Sequence, residues 1–553
     1  MNTIQIFFSD TQKTITCPYG TRAHDLIEHF AVPADEIAAI KVNNEIRPLG
    51  TTLLVNAAVE IVPLDSPEGA MIYRRTLSFV LAIAARNIFP KDGVYVGHSM
   101  GASYYYTLSS GEKCEKSHVE SLSAEMERLV KEDLPISFQY LSYEEAVRLF
   151  KENNQTDTAL LLEQRSTSRI KVNECQGYMD IYVQPLLERT GLLGAFELML
   201  YEDGFLLRFP AIGKGKTIAP FVDEPHLYRI YSDYKKWGRI VGVRVVGELN
   251  SKIADRTFQE YIRIAEAHQA RKMSDIASQI YEKRDNLKMV LIAGPSSSGK
   301  TTSAKRLAIE LMVLGIKPIA ISLDDYYRGK AGTPKDENGD PDYECLEALD
   351  VPFLNEQLQQ LYRGEEVTLP VYDFKTGNRK ESGGKKIKLE KSNILIVEGI
   401  HGLNDALTYS IDRGTKFKVY ISALTQLNLD DHNRIPTSDN RLLRRMVRDS
   451  NFRGMDAAGT IKMWPKVQAG ERRYIFPFQD TSDAAFNSAL DYELSVFKYY
   501  ADPLLRAVKP GMGEYAEAAR LLSFLENFTP IPPQFVPGTS ILREFIGGSE
   551  FKY

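Results

Sequence analysis

One stretch constrains this chain more than any other: 291-LIAGPSSSGKTTSAKRL-307. Gly294, four intervening residues and then Gly299-Lys300-Thr301 make the GxxxxGK[ST] spacing, which is specific when a strand precedes it and a helix follows. Here KMVLIA reads as a short buried strand, and TTSAKRLAIELMVLG reads as a helix stopped at Gly315. The run Gly294, Pro295, Ser296, Ser297, Ser298 and Gly299 is small enough for successive backbone N–H groups to turn toward phosphate oxygens. The helix N-terminus adds partial positive charge at the same place. Lys300 is expected to reach the outer phosphates, Thr301 to hold Mg2+ through its hydroxyl, and Thr302 to complete the nucleotide-binding run. The ligand so implied is ATP or GTP, with ATP the default.

The loop does not name the group that receives a phosphoryl. Three other segments bear on that. PIAISLDD (318–325), ILIVEG (394–399) and FKVYIS (417–422) are short apolar strands separated by helical stretches, the pattern of a parallel sheet with crossover helices. Asp324 and Asp325 then fall at the C-terminal edge of a strand, where ligands bind in open α/β sheets. Either can accept a proton from an attacking hydroxyl or hold Mg2+ through water, and a helix cap or turn is the plainer alternative. Glu398 ends a second strand at a position suited to a metal-bound water or to a structural role. Arg441, Arg444, Arg445 and Arg448 recur at i, i+3, i+4 and i+7, with Arg453 beyond. They make either a lid that closes on the transferring phosphoryl group or a solvated face paired with Asp439, Asp449 or Asp456.

At 553 residues the chain exceeds a single core. Residues 1–65 read as paired strands, TIQIFF (3–8) and KTITCP (13–18), then a helical stretch from Thr21 and further strands, a β-grasp order. SPEG (66–69) reads as a linker. Residues 70–245 mix helix with two hairpins, the second turning at Glu202-Asp203-Gly204. Residues 250–286 read as a helical linker, 287–510 as the P-loop domain, and 511–553 as a C-terminal helix and an extended tail packed on the surface. The fold class expected is multidomain α/β: a P-loop parallel sheet with flanking helices, preceded by a β-grasp domain and an α+β domain.

Composition narrows the function. A net charge of -5 argues against a surface built for broad nucleic-acid binding. GKGK (213–216) and YKKWGR (234–239) are basic with interleaved aromatics, so a local RNA contact stands as an alternative to ordinary solvated loops. Cys17, Cys114, Cys175 and Cys345 lie far apart with no CxxC pair, as in a reducing cytosol. There is no leader-like N-terminus and no apolar run of about 18 residues, so a cytoplasmic protein without a membrane span is expected.

GPSSSGKT, SLDDYYR, LPVYDFKTGNRK, ILIVEGI and RLLRRMVRDSNFRG, in this order, resemble the uridine (uridine-cytidine) kinase family of P-loop nucleoside kinases, over roughly 285–500. The resemblance implies transfer of the γ-phosphate of ATP, with Mg2+, to a nucleoside 5′-hydroxyl. It gives Asp324 the general-base position and sets Tyr327 and Arg328 beside the substrate. Tyr372 takes the aromatic position against the base, Glu344 the position of an aspartate on the ribose hydroxyls, and Arg445, Arg448 and Arg453 the lid arginines. Glu398, from its place at a strand edge rather than from the resemblance, is expected to hold Mg2+ through water. The chain departs from the pattern at Gly377, where the family has a base-reading histidine, and at Met455 and Met463. The front half is similar to threonyl-tRNA synthetases: 1–65 to their TGS domain, 70–245 to the second additional domain that carries an editing site. That site's four metal-ligand positions are here Phe79, Ile83, Tyr182 and Leu186, so neither metal nor editing is expected. His98 and His226 have no spaced partner. Two alternatives stay open, an RNA-binding regulatory NTPase and a kinase of another small hydroxyl acceptor such as a sugar phosphate. Homo-oligomerisation is open as well.

Overall fold

Strand and helix assignments follow from a computed structural model that describes residues 3–552 apart from 91, 214–216, 337, 338, 374, 375, 381 and 391. The chain's contacts gather into two units. Unit 1 comprises residues 1–258, 426–436 and 502–530, and unit 2 comprises 259–425, 437–501 and 531–553. The five consecutive segments expected from sequence thus regroup into two interleaved sets.

In unit 1, β1 (Thr3–Phe8) and β2 (Lys13–Pro18) pair antiparallel with Ile6 opposite Ile15. β3 (Ile37–Val42), β4 (Glu45–Arg47) and β5 (Ala57–Pro63) complete a five-stranded sheet in the order β2-β1-β5-β3-β4, with β1 and β5 parallel. This is the β-grasp arrangement that the alternation implied. SPEG is not a linker: Ser66 caps α1 (Pro67–Ile88), accepting from Gly69 N at 3.0 Å. Ser at the N-cap, Pro at the first turn and an early Glu are helix-start chemistry that also occurs in loops, hence the misreading. β6 (Val94–Ser99) and β7 (Ser103–Leu108) form the first hairpin. β8 (Ser137–Ser142), β9 (Arg169–Cys175) and β10 (Tyr178–Asp180) form a separate three-stranded sheet. β11 (Glu197–Tyr201) and β12 (Gly204–Arg208) form the second hairpin at the expected turn, and β12 pairs with β7.

Unit 2 is built on a five-stranded, all-parallel sheet. Its strands are β13 (Met289–Ala293), β14 (Lys317–Ser322), β15 (Asn393–Glu398), β16 (Lys416–Ser422) and β17 (Ala484–Asn487), in the spatial order β14-β15-β13-β16-β17. All five residues of β13 are fully buried, as a central strand covered on both faces must be. The stretch expected as a helical bridge supplies α2 (Phe258–Glu282), which is part of this unit's core from Tyr261 onward. Its Gln269 donates to Ser488 O, and its Glu266 accepts from Tyr492 Oη at 2.6 Å. α3 (Lys300–Val313) follows the P-loop, and Gly315, at φ +84°, ends it as expected. α4 (Val351–Tyr362) packs Leu354, Leu358 and Leu361 into the core with Met289, Leu291 and Leu395 of the sheet. The tail after 530 is not surface padding: Ile531, Ile541, Leu542 and Phe545 are fully buried in unit 2. Its proline and glycine punctuation set its extended path, and its spaced apolar residues, not its lack of periodicity, decide its burial.

Candidate nucleotide and acceptor site

Register brings the chemistry together. Ile292 and Ser322 both pair with Glu398, so the C-terminal ends of β13, β14 and β15 lie at one sheet edge. From those ends leave the P-loop, the Asp324 turn and Glu398 itself. Gly294 begins the loop because nothing larger fits: a Cβ there would stand 1.8 Å from Ile421 O. Ser297 and Gly299 take positive φ (+58° and +80°), the turns that swing the intervening N–H groups inward. Among the described residues, the hydroxyls of Ser297, Ser298 and Ser303 are buried without a hydrogen-bond partner, polar capacity of the kind an anion would use.

Lys300 Nζ folds back onto Gly294 O (3.0 Å) and Pro295 O (3.2 Å). Burial lowers its pKa, while the charges of Glu398, Asp324 and Glu544 oppose that. Glu398 Oε1 accepts from Ser322 Oγ at 3.1 Å and from Thr301 Oγ1 at 3.4 Å. Burial, then the charge of Asp324, pushes the Glu398 carboxyl above its ordinary range, against the pull of Lys300. Hydroxyl and carboxylate oxygens gathered beside a lysine are the hard donor set that suits Mg2+, so Thr301 and Glu398 fit the ion that a P-loop implies.

The two neighbouring aspartates separate in structure. Asp325 Oδ1 accepts from Tyr372 N at 3.0 Å, which ties it to the short two-residue strand at Tyr372–Asp373. The Asp324 carboxylate has no hydrogen bond among the described residues and acts on Lys300, Glu398 and Tyr327 through its charge. Tyr327, Tyr343 and Tyr372 form an aromatic wall beside it, with Tyr327 5.6 Å from Tyr372 and 6.0 Å from Tyr343, centroid to centroid. Glu344 joins the same cluster. Burial and the Glu471 charge raise its carboxyl to about 7, with Arg445 and Lys300 pulling the other way. Gly470 makes the room: a Cβ there would stand 2.7 Å from the Cβ of Glu344.

The arginine series divides. It lies on α5 (Thr437–Arg448), which runs into a π turn at Asp449–Arg453. Arg441 and Arg444 are buried and braced, not lid residues. Arg441 grips Glu471 on α6 (Ala457–Tyr474) at 2.5 and 2.6 Å and donates to Ser296 O. Arg444 pairs with Glu493 and donates to Ser297 O and Ser488 O. Their anionic partners, Glu471 and Glu493, lie far along the chain, so helical periodicity could not reveal them. Arg445 donates to Ser296 Oγ at 2.8 Å, and Arg445, Arg448 and Arg453 all face the buried Asp449. Arg453 remains about half exposed.

Arg328 is not gathered in: it is exposed, and its Nε donates to Leu349 O. The cation that shapes this turn is Arg379, which donates to Tyr326 O (2.7 Å), Tyr327 O (2.9 Å) and Asp350 (3.1 Å). No periodic signal singles it out. Gly377, at φ +71°, sits under Lys330, whose Cε would be 2.6 Å from a Cβ. The glycine is thus a turn residue: its positive φ would strain a histidine, which would also have to push the Lys330 side chain aside. In unit 1, Phe79 and Tyr182 pack edge to face at 5.8 Å, and Ile83 and Leu186 share their core. His98 is buried and stacked on Tyr231. The side chain of His226 and residues 214–216 of GKGK lie outside the described residues. Lys235 of YKKWGR donates to Thr107 Oγ1, and its burial lowers its pKa to about 8.

An all-parallel sheet with a glycine-cornered loop leading into α3, and carboxylates at the adjoining strand ends, defines a P-loop nucleotide-binding domain. Residues 289–495 match the Phosphoribulokinase / Uridine kinase family, so the chain carries a kinase domain of that family in its C-terminal part. The N-terminal part is similar to threonine–tRNA ligases. One from Desulforamulus reducens is 29% identical over 167 residues, covering 30% of this chain and 26% of that protein. One from Desulfovibrio desulfuricans is 30% identical over 141 residues, covering 26% of this chain and 22% of that protein. The chain thus spans about a quarter of the length of these relatives. Among solved structures, a possible uridine kinase from Bacillus stearothermophilus is 22% identical, covering 39% of this chain and 97% of that chain, with a TM-score of 0.28. No helix among the described residues is long and apolar enough to cross a membrane.

Proposed function

We propose that unit 2 transfers the terminal phosphoryl group of ATP to the 5′-hydroxyl of a nucleoside, uridine or cytidine being the first candidates. The observation that carries this reading is the convergence of Lys300, Asp324, Glu344 and the Tyr327–Tyr372 wall at one sheet edge. A planar base can lie against the tyrosines, and a carboxylate can accept from vicinal hydroxyls. Two carboxylates at the acceptor side disfavour a dianionic sugar phosphate, which favours a neutral acceptor over that alternative.

Phosphoryl transfer requires little covalent help, so positioning and charge carry most of the rate. Lys300 holds the outer phosphates once it leaves the loop carbonyls. Asp324 takes or orients the hydroxyl proton. Arg445 and Arg448, with the half-exposed Arg453, neutralise charge and exclude water. Thr301 and Glu398 would hold Mg2+, which when bound neutralises phosphate charge. Gly377 removes a base-reading side chain, so base discrimination rests on the tyrosine wall.

For unit 1 we read the first 65 residues as a TGS-like domain and 70–245 as a synthetase-derived domain without editing chemistry. The apolar packing of Phe79, Ile83, Tyr182 and Leu186 supports that reading. An RNA contact there is the alternative role. We further read the protein as cytoplasmic.

A panel of nucleosides and sugar phosphates with Mg-ATP tests the proposal. Nucleoside-dependent ADP release without RNA is expected. Hydrolysis stimulated by RNA and indifferent to nucleoside would overturn it in favour of a regulatory NTPase.

A further inference from the structure

The buried tail of unit 2 ends in α7, a single turn at Arg543–Ile546. Its Glu544 does not face solvent. Glu544 Oε2 accepts from Thr302 N at 3.1 Å and from Thr302 Oγ1 at 2.6 Å, at the start of α3. Its other oxygen stands 4.0 Å from Arg448 Nη1. Thr302 N–H is among the first four of α3, which have no partner within the helix, and in a P-loop such groups cradle the inner phosphates. The segment that delivers this carboxylate is fixed. Ile541, Leu542 and Phe545 are fully buried, Phe545 lies 5.1 Å under the Arg444 guanidinium, and Asn451 donates to Phe545 O at 3.0 Å. Ile541 also covers Gly299, its Cδ1 2.8 Å from where a Cβ would stand.

We propose that Glu544 is an internal anion of the nucleotide site, occupying the Thr302 position that the inner phosphates take, so that nucleotide binds only by displacing it. Two anions cannot share one helix terminus, and the carboxylate gains there what a phosphate would gain. Displacement requires only that the Glu544 side chain swing toward Arg448, because the apolar residues around it anchor the backbone and not the carboxylate. Glu544 therefore sets the affinity for nucleotide, a role that rests on reading the loop as a nucleotide cradle.

Calorimetric titration of the full chain with Mg-ADP and Mg-ATP, without acceptor, tests this in the wild type, Glu544→Gln and Glu544→Asp. Glu544→Gln keeps an acceptor for Thr302 but removes the charge, and should tighten both nucleotides about tenfold or more. Glu544→Asp keeps the charge but is one methylene too short to hold Thr302, and should tighten them by less. Wild-type affinity, or weaker, in both folded variants overturns the proposal and leaves the cradle standing. Absence of nucleotide binding in all three proteins overturns both. Binding confined to the variants supports both.

Discussion

Asp324 and Asp325 are adjacent in sequence and chemically identical, yet only one is available. Asp325 is committed to Tyr372 N, whereas Asp324 keeps its carboxylate for Lys300 and for whatever approaches the tyrosine wall. Asp324→Asn should therefore cut turnover by about 10²–10⁴-fold with nucleotide affinity little changed. Stopped-flow binding alongside steady-state rates checks this, and a lower melting temperature with the rate of the folded protein spared would make the residue structural. Lys300→Ala should lower kcat by about 10²-fold or more, in line with other donors to developing charge. Glu344 gives a pH signature. Its folded-state value of about 7 lies above the ordinary 4.5, so between those values the folded protein binds a proton that the unfolded chain has released. Stability from this group is full at low pH, falls as pH rises through that window, and is flat above it. Glu344→Gln should remove that fall, at most about 3 kcal/mol, which thermal melts at pH 5 and pH 8 would read. An unchanged difference between the two pH values would show the carboxyl to be relieved by other groups.

At the scale of elements, α5 was legible as a helix with a cationic face, but its division of labour was not. Arg441 and Arg444 carry the same charge and periodicity as Arg445 and Arg448, yet they donate directly to the P-loop carbonyls and are braced by Glu471 and Glu493. Removing one member of a buried pair strands the other charge, so Arg444→Ala should destabilise unit 2 by about 3–5 kcal/mol. Denaturant melts measure it, and a cost below about 1 kcal/mol would mean the pair is not what holds the loop. Four strands of the parallel sheet were readable one by one because each is a short apolar run, whereas β17, four residues ending in a buried asparagine, was not. Their order, with β13 between β15 and β16, was not, because register is set by contacts distant in sequence.

Across the whole molecule, sequence order is a poor guide to what folds together. α2 and the tail beyond 530 are separated from the 287–510 stretch on either side, yet their apolar residues are buried in the same unit. A 287–510 fragment, although it spans the family match, should fail to give a cooperative melt, since it lacks α2 and the buried Ile541, Leu542 and Phe545. Circular dichroism during heating would decide, and a sharp transition would mean that these segments only decorate the core.

The P-loop, the flanking strand and helix, the Asp324 turn and the arginine-bearing helix were all determined by local sequence, because each depends on residues within a few positions of one another. The braces and the occupant were decided by tertiary structure alone. Glu471, Glu493, Arg379, Tyr343 and Glu544 acquire meaning only when chain segments far apart meet, and no local pattern of size, charge or period records which distant partner a buried polar group will find.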